Sequence, residues 1–142
     1  ETFIAKLPEC RKQCGDRAVL RAFHIYADND RVAKQVTALR EGDFTTFLNL
    51  VGESGQSSWE YLQNVIPAGY KEHQEMGVTI AAAKHYLNGK GAVRVHGGGF
   101  AGTVQAFVPV EMLADFKANM EKILGAGRCH VLSIRPEGGA VL

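Results

Sequence analysis

The sequence predicts an α+β domain in which helices occupy the first two thirds of the chain and a small, mostly antiparallel sheet occupies the last third. Its length of 142 residues suits one domain, so we expect residues 1–142 to form a single unit. Before residue 90 apolar residues recur at helical spacing, and after Gly91 they alternate as in strands. Helices gathered ahead of a few strands are typical of the α+β class.

The first long helix is predicted from Leu20 to Leu39, where Val32, Val36 and Leu39 share one face. The run Arg40-Glu41-Gly42-Asp43 predicts a glycine stop followed by an aspartate N-cap. The helix that follows should end near Gly52 to Gly55, and its apolar face is expected to comprise Phe44, Phe47, Leu48 and Val51.

The flanking segments are interpreted in the same way. Residues 1–18 are polar and broken by Pro8 and Gly15, and a short segment runs from Trp59 to Ile66. After Pro67 a longer helix is predicted from Ala68 to Leu87, closed by Asn88-Gly89. Its predicted buried stripe is Met76, Ile80, Ala83 and Leu87.

The last third predicts strand, loop, strand, helix and strand. Ala92–Val95 forms a short strand, and Thr103–Val108 alternates between two faces. Pro109 opens a helix, since a first helical position needs no N–H, and Cys129–Ile134 is predicted as a last strand. The predicted apolar stripe of that helix is Leu113, Phe116, Met120 and Ile123.

Charge and composition narrow the class of protein. The formal net charge is +1, which gives no field to attract nucleic acid or an anionic membrane, so we expect neither as a partner. No apolar run approaches the roughly 18 residues of a membrane span. The chain starts at Glu1 without an initiator Met, which suggests a piece of a longer protein.

Three cysteines cannot form a complete disulfide framework. Cys10 and Cys14 would share a helix face and offer two zinc ligands, but a structural zinc site needs about four. The adjacent Cys129 and His130 would point to opposite faces of a strand. We therefore predict no metal site, and we expect reduced thiols in a cytoplasmic protein.

The most informative stretch is the glycine loop, residues 96–103, in which four of the six residues from Gly97 to Gly102 are glycine. The spacing Gly97-x-Gly99-x-x-Gly102 matches the dinucleotide fingerprint, but an alternating strand follows where that fingerprint needs a helix. A plain hairpin turn needs only one or two glycines. A third interpretation of the four glycines is that they allow the loop backbone to approach a phosphate or substrate closely.

Taken alone, the residues do not complete a phosphoryl-transfer site. Such a site needs a nucleotide cradle, acidic metal ligands and a base for the acceptor hydroxyl. The chain has no Walker sequence and no Lys in the loop, so no catalytic residue is assigned in it.

The segment from Arg94 to Thr103, Arg-Val-His-Gly-Gly-Gly-Phe-Ala-Gly-Thr, resembles the third motif of galactokinases, in the superfamily of galacto-, homoserine, mevalonate and phosphomevalonate (GHMP) kinases. The family pattern is Arg-Met-Thr-Gly-Gly-Gly-Phe-Gly-Gly-Cys. Weaker similarity covers most of the remaining chain, at Arg21-Ala22-Phe23-His24, Glu41-Gly42-Asp43-Phe44, Glu53-Ser54 and Ile66-Pro67.

This resemblance implies a C-terminal domain with a small ferredoxin-like sheet packed with several helices, forming half of a two-domain sugar kinase. ATP and Mg²⁺ would be bound mainly by an N-terminal domain, which would also supply catalysis and most sugar contacts. That domain, the sugar and ATP are the implied partners, and the fragment alone would be inactive. The positions carried over to the phosphate and substrate cleft are Gly97, Gly98, Gly99, Phe100 and Gly102.

The departures from the family pattern bear on the substrate and on activity itself. Val95 and His96 replace Met-Thr, Ala101 replaces a glycine, and Thr103 replaces Cys. His96 either tunes acceptor choice beside the cleft or bonds neighbouring backbone. Trp59 and Tyr61 either line a sugar or pack beneath the helices. The alternative function is a sugar-binding or regulatory module that kept the fold and lost catalysis.

Overall fold

The computed structural model describes residues 2–100 and 102–138, and in them the protein is α+β, with one two-stranded antiparallel sheet packed between helices. The helices are α1 (Thr2–Ala5), α2 (Leu7–Cys14), α3 (Asp16–Glu41), α4 (Phe44–Ser57), α5 (Glu75–Leu87) and α6 (Leu113–Leu124). A π-helical turn (Ser58–Leu62) extends α4, and a 3₁₀ turn (Val110–Met112) precedes α6. The strands are β1 (Ala92–His96) and β2 (Thr103–Phe107).

The polar start of the chain forms two short helices rather than an irregular lead. Pro8 lies in the first turn of α2, where its missing N–H is tolerated, and Gly15 separates α2 from α3. Phe3 packs edge-on against Phe23 and Tyr26 of α3, with ring centroids 5.0 and 5.4 Å apart. The apolar residues of this segment therefore hold α1 on α3.

The predicted stop between α3 and α4 is confirmed. Gly42 ends α3 in the left-handed conformation, with a φ of 73°. Asp43 then caps α4, accepting a hydrogen bond from the Thr46 amide at 2.9 Å. Its hydrogen bonds to Thr46 hold the pKa of the Asp43 carboxyl below its ordinary value.

The predicted end of α4 near Gly52 to Gly55 is wrong, because the helix runs on to Ser57 and then into the π-helical turn. Gly55 lies against β1, where the absence of a side chain allows the helix and the strand to approach closely. The glycine here serves packing rather than termination.

The long helix predicted from Ala68 begins later, at Glu75, and ends as expected at Asn88, which has a left-handed φ of 45°. Residues 67–74 are irregular, and Gly69 has a φ of 85°, which is incompatible with an α-helix. The predicted stripe of α5 is confirmed, since Met76, Ile80, Ala83 and Leu87 are all buried.

The sheet separates two helical layers. Val93 and Val95 of β1, with Val104 and Ala106 opposite them on β2, face the core beneath α5 and α6. The other face meets α4, where the Phe107 ring packs edge-on against Phe47 at 5.4 Å. The buried core residues on the first side are Val65, Met76, Ile80, Ala83, Leu87, Val93, Val95 and Met120.

The predicted last strand, Cys129–Ile134, is wrong, since these residues form no regular structure. A strand is held extended by pairing and by burial of one face, and within residues 2–100 and 102–138 the sheet pairs β1 only with β2. Leu132 and Ile134 are each 87% exposed, so neither condition holds.

The apolar faces predicted from spacing alone are only partly buried. Val32, Val36 and Leu39 of α3 are exposed, and the buried residues of that helix are Val19, His24 and Ala38. Phe44 of α4 and Ile123 of α6 are exposed as well, while Val51 and Met120 are buried. Periodicity identifies the helices but not the face that another element covers.

Candidate functional site

The glycine loop connects β1 to β2, as the alternation of the two segments predicted. His96 pairs with Thr103 in the last pair of the antiparallel ladder, so the loop protrudes from the end of the hairpin. The dinucleotide-fold interpretation is thereby excluded, because a strand and not a helix follows the last glycine.

Positive φ angles set the course of the loop. Gly97 and Gly99 have φ values of 67° and 81°, and Phe100 has 64°. A left-handed conformation is uncommon for a bulky residue, and such strained positions concentrate at functional sites. Ala101, one of the departures from the galactokinase pattern, lies outside the described residues.

The loop glycines differ in the reason they are needed. A Cβ on Gly97 or Gly98 would meet open space, and one on Gly102 would make only ordinary contacts. A Cβ on Gly99 would overlap the carbonyl oxygen and side chain of Asn64. A close approach therefore occurs at Gly99, but it is to another part of this chain, and the predicted approach to a phosphate or substrate stays a prediction.

Asn64 lies beneath the loop and was missed by sequence reasoning. It follows Gln63, whose φ of 55° ends the π-helical turn. The Phe100 amide donates a 2.5 Å hydrogen bond to the Asn64 carbonyl, so this loop N–H already has a partner. No signal in the sequence links two residues 36 positions apart.

A cavity of about 470 Å³ opens beside the loop. Phe100 and Gly102 form one wall, and Pro67, Tyr70 and Glu75 form the other. Phe100 is 38% exposed, so part of its ring contacts solvent in this cleft. The cavity places an aromatic face, a phenol and a carboxylate next to the glycine loop.

Of the described residues, the other site candidates singled out in the sequence do not line this cavity. His96 is exposed at the base of the loop, and Val95 is buried in the core. Trp59 lines a different cavity of about 460 Å³ together with Gln56 and Arg94, away from the glycine loop. A sugar contact by Trp59 or Tyr61 stays a prediction.

A polar network ties β1 to the helices behind it. Arg94 Nη1 donates to Ser54 Oγ at 2.5 Å, and Ser54 Oγ donates to Asp28 Oδ1 at 2.6 Å. His24, on the same helix as Asp28, has its Nδ1 3.0 Å from Ser57 Oγ. Arg94, the first residue of the glycine motif, is thus held by α4 and, through Ser54, by α3.

The cysteines do not come together. Cys10, Cys14 and Cys129 are free, and burial, with the nearby Glu121 carboxylate, raises the pKa of the Cys129 thiol. Across residues 2–100 and 102–138, no cluster of three or more His, Cys, Asp or Glu side chains is placed to hold a metal ion.

In the same residues, no helix has the length and apolar character of a membrane span.

The described residues thus form an α+β domain with a β-hairpin whose two strands are joined by a glycine loop beside a cleft. The chain is 30% identical over 100 residues to a galactokinase from Mannheimia succiniciproducens, a match covering 70% of this chain and 24% of that protein. It is 32% identical over 111 residues to a galactokinase from Glaesserella parasuis serovar 5, covering 78% of this chain and 27% of that one. The resemblance to a galactokinase C-terminal domain is therefore confirmed, and the chain is galactokinase-like.

The chain spans about a quarter of the length of these relatives. No family model matches the sequence. No solved structure matches it either.

Proposed function

We propose that this chain is the C-terminal domain of an ATP-dependent sugar kinase that acts on galactose or a related sugar. The observation that carries the proposal is the strained loop from Gly97 to Gly102, set beside an open cleft in a chain about 30% identical to galactokinases. In the reaction, a sugar hydroxyl oxygen bonds to the γ-phosphorus of ATP, ADP departs, and a base takes the hydroxyl proton.

We further propose that residues 1–142 form one half of a two-domain enzyme with a ferredoxin-like C-terminal fold. The N-terminal half would bind ATP and Mg²⁺ and supply the base, while the glycine loop at 96–103 would complete the phosphate and substrate cleft. The partners are then that N-terminal domain, the sugar and ATP, in the cytoplasm.

Within this site the loop contributes backbone and shape. Gly97 and Gly98 leave open space above the main chain, so a phosphoryl or sugar group can approach their backbone closely. The Phe100 ring, part of the cleft wall, excludes water from one side. His96, where galactokinases carry a small hydroxyl residue, is placed to affect which sugar is accepted.

Two observations favour a second candidate, a sugar-binding or regulatory module without catalysis. The Phe100 N–H is occupied by the Asn64 carbonyl, which removes one donor from any phosphate cradle in the loop. The exposed His96 adds bulk at the base of the loop. Both features are compatible with a fold that binds a sugar and no longer transfers phosphate.

The test is a coupled ADP-release assay on the whole protein, with ATP, Mg²⁺ and a panel of hexoses that includes galactose. We expect turnover by the whole protein and none by residues 1–142 alone. Sugar phosphorylation by the isolated chain would overturn the two-domain assignment. Binding of a hexose by the whole protein without any turnover would rule out the kinase function and favour the sugar-binding or regulatory module.

A further inference from the structure

Asn64 is a deeply buried polar residue beneath the glycine loop, with only 1% of its surface exposed. A buried amide requires hydrogen-bond partners, because an unsatisfied one is destabilising. The partners of Asn64 come from two places, the π-helical turn at the end of α4 and the glycine loop itself.

The partners fix the orientation of the Asn64 side chain. The Gly98 carbonyl can only accept a hydrogen bond, so the Asn64 amide nitrogen, 3.3 Å away, must be the donor. The other end of the amide, Oδ1, accepts a 2.8 Å hydrogen bond from the Ser58 hydroxyl, which is fully buried. Ser58 thus holds Asn64 so that its amide N–H points to the loop.

The backbone of Asn64 contacts the loop as well. The Asn64 carbonyl accepts a hydrogen bond from the Phe100 amide. Asn64 also fills the space where a side chain on Gly99 would have to lie. Asn64 therefore contacts the loop on both sides of Gly99, through its side chain at Gly98 and through its carbonyl at Phe100. Of the residues from Gly98 to Phe100, Gly99 and Phe100 have the left-handed backbone conformation.

We propose that Asn64 is the positioning residue of the glycine loop, holding Gly98 to Phe100 in their strained course from below while leaving the outer face open. The expected effect of Asn64 on phosphoryl transfer rests on the proposed kinase function, whereas its expected effect on the order of the loop does not. Because Asn64 acts through the loop backbone and does not line the cleft, its loss should affect the rate of transfer more than the binding of the sugar.

The decisive variants are N64D, S58A and S57A in the whole protein. N64D keeps the size of the side chain but replaces the amide donor by an oxygen that repels the Gly98 carbonyl. S58A removes the hydroxyl that orients Asn64. S57A is the matched control, because Ser57 is an adjacent buried serine whose hydroxyl contacts His24 and not the loop.

The first readout is amide hydrogen exchange of the loop peptide, which needs no catalytic activity. We expect exchange to be faster by about 10-fold in N64D and by a few-fold in S58A, as expected for the loss of one hydrogen bond. We expect the wild-type rate in S57A. Unchanged exchange in N64D, or equal acceleration in S57A and S58A, would overturn the proposal.

The second readout is steady-state kinetics. We expect kcat to fall by roughly 10–100-fold in N64D, with the KM for the sugar within about 3-fold of wild type. A rise in KM alone would overturn the positioning role. If N64D fails to fold, the comparison of S58A with S57A decides by the same criteria. A wild-type protein without kinase activity would refute the proposed function, and hydrogen exchange would still test the role of Asn64.

Discussion

Gly98 and Gly99 are neighbours in one loop but lie in different surroundings. Gly98 has open space around it, whereas Gly99 combines a φ of 81° with contact to Asn64. We expect G99A to lower the free energy of unfolding by about 2 kcal/mol or more, since a left-handed alanine and a steric overlap add together. G98A should change it by less than about 1 kcal/mol. Urea denaturation of the two variants makes the comparison.

Equal destabilisation by G98A and G99A would contradict this assignment, because it would mean that the loop is intolerant of any side chain. Conversely, a fully stable G99A would show that the loop does not lie on Asn64. The two variants differ by one position and carry the same added methyl group, so each is the control for the other.

At this scale the sequence predicted where the loop lies but not what each residue does. The cluster of four glycines predicted a backbone that approaches a phosphate or substrate, whereas the approach seen at Gly99 is to Asn64. The partner of that approach, Asn64, comes from a segment that carries no motif. The left-handed φ of Phe100 is likewise set by its hydrogen bond to Asn64 and not by the residue's own preference.

Helix α4 carries its own matched pair of glycines, one turn apart. A Cβ on Gly52 would meet open space, while one on Gly55 would lie 2.8 Å from the Arg94 Cβ on β1. We expect G52A to stabilise the protein by about 0.5–1 kcal/mol, since alanine is the better helix former. G55A should destabilise it by roughly 1–3 kcal/mol through overpacking. Thermal and urea denaturation measure both effects.

If G55A were as stable as G52A, α4 would not pack on β1 through this face.

The elements themselves were mostly predictable, because the periodicity that identifies α3, α4 and α5 is local. The predictions that were wrong concern segments whose structure depends on tertiary contacts. Cys129–Ile134 alternates like a strand but pairs with no other strand in the part of the chain that the structure describes. Gly55 resembled a helix stop, because its contact with Arg94 of β1 is distant in sequence and not visible from local pattern.

At the scale of the whole molecule, a network of hydrogen bonds links α3, α4 and β1. Asp28 of α3 receives hydrogen bonds from Ser54 and Arg31, and Ser54 in turn receives one from Arg94 of β1. His24 is buried beside them, with its Nε2 3.7 Å from Asp28 Oδ2. The sequence predicted helices and a small sheet, but these polar contacts depend on how the elements pack against one another and were not predictable.

This network gives the folded state a defined response to acid. Burial lowers the pKa of His24, an effect that Asp28 opposes and that Arg31 and Arg94 reinforce. Burial works to raise the pKa of Asp28, but hydrogen bonds from Ser54 and Arg31 outweigh it, and the net pKa lies below its ordinary value. Both groups therefore bind protons more readily in the unfolded chain than in the folded one.

Because the unfolded chain binds the His24 proton first, the free energy of unfolding should fall as the pH drops below about 6.5, the ordinary value for histidine. The loss should continue to the lower folded pKa of His24, and a second loss from Asp28 should begin only below about pH 4. Urea denaturation between pH 5 and 8 measures the first slope, which H24Q should remove. H73Q alters an exposed histidine and should retain the wild-type profile. A profile in H24Q that still falls as in wild type would show that the loss of stability in acid comes from groups other than His24.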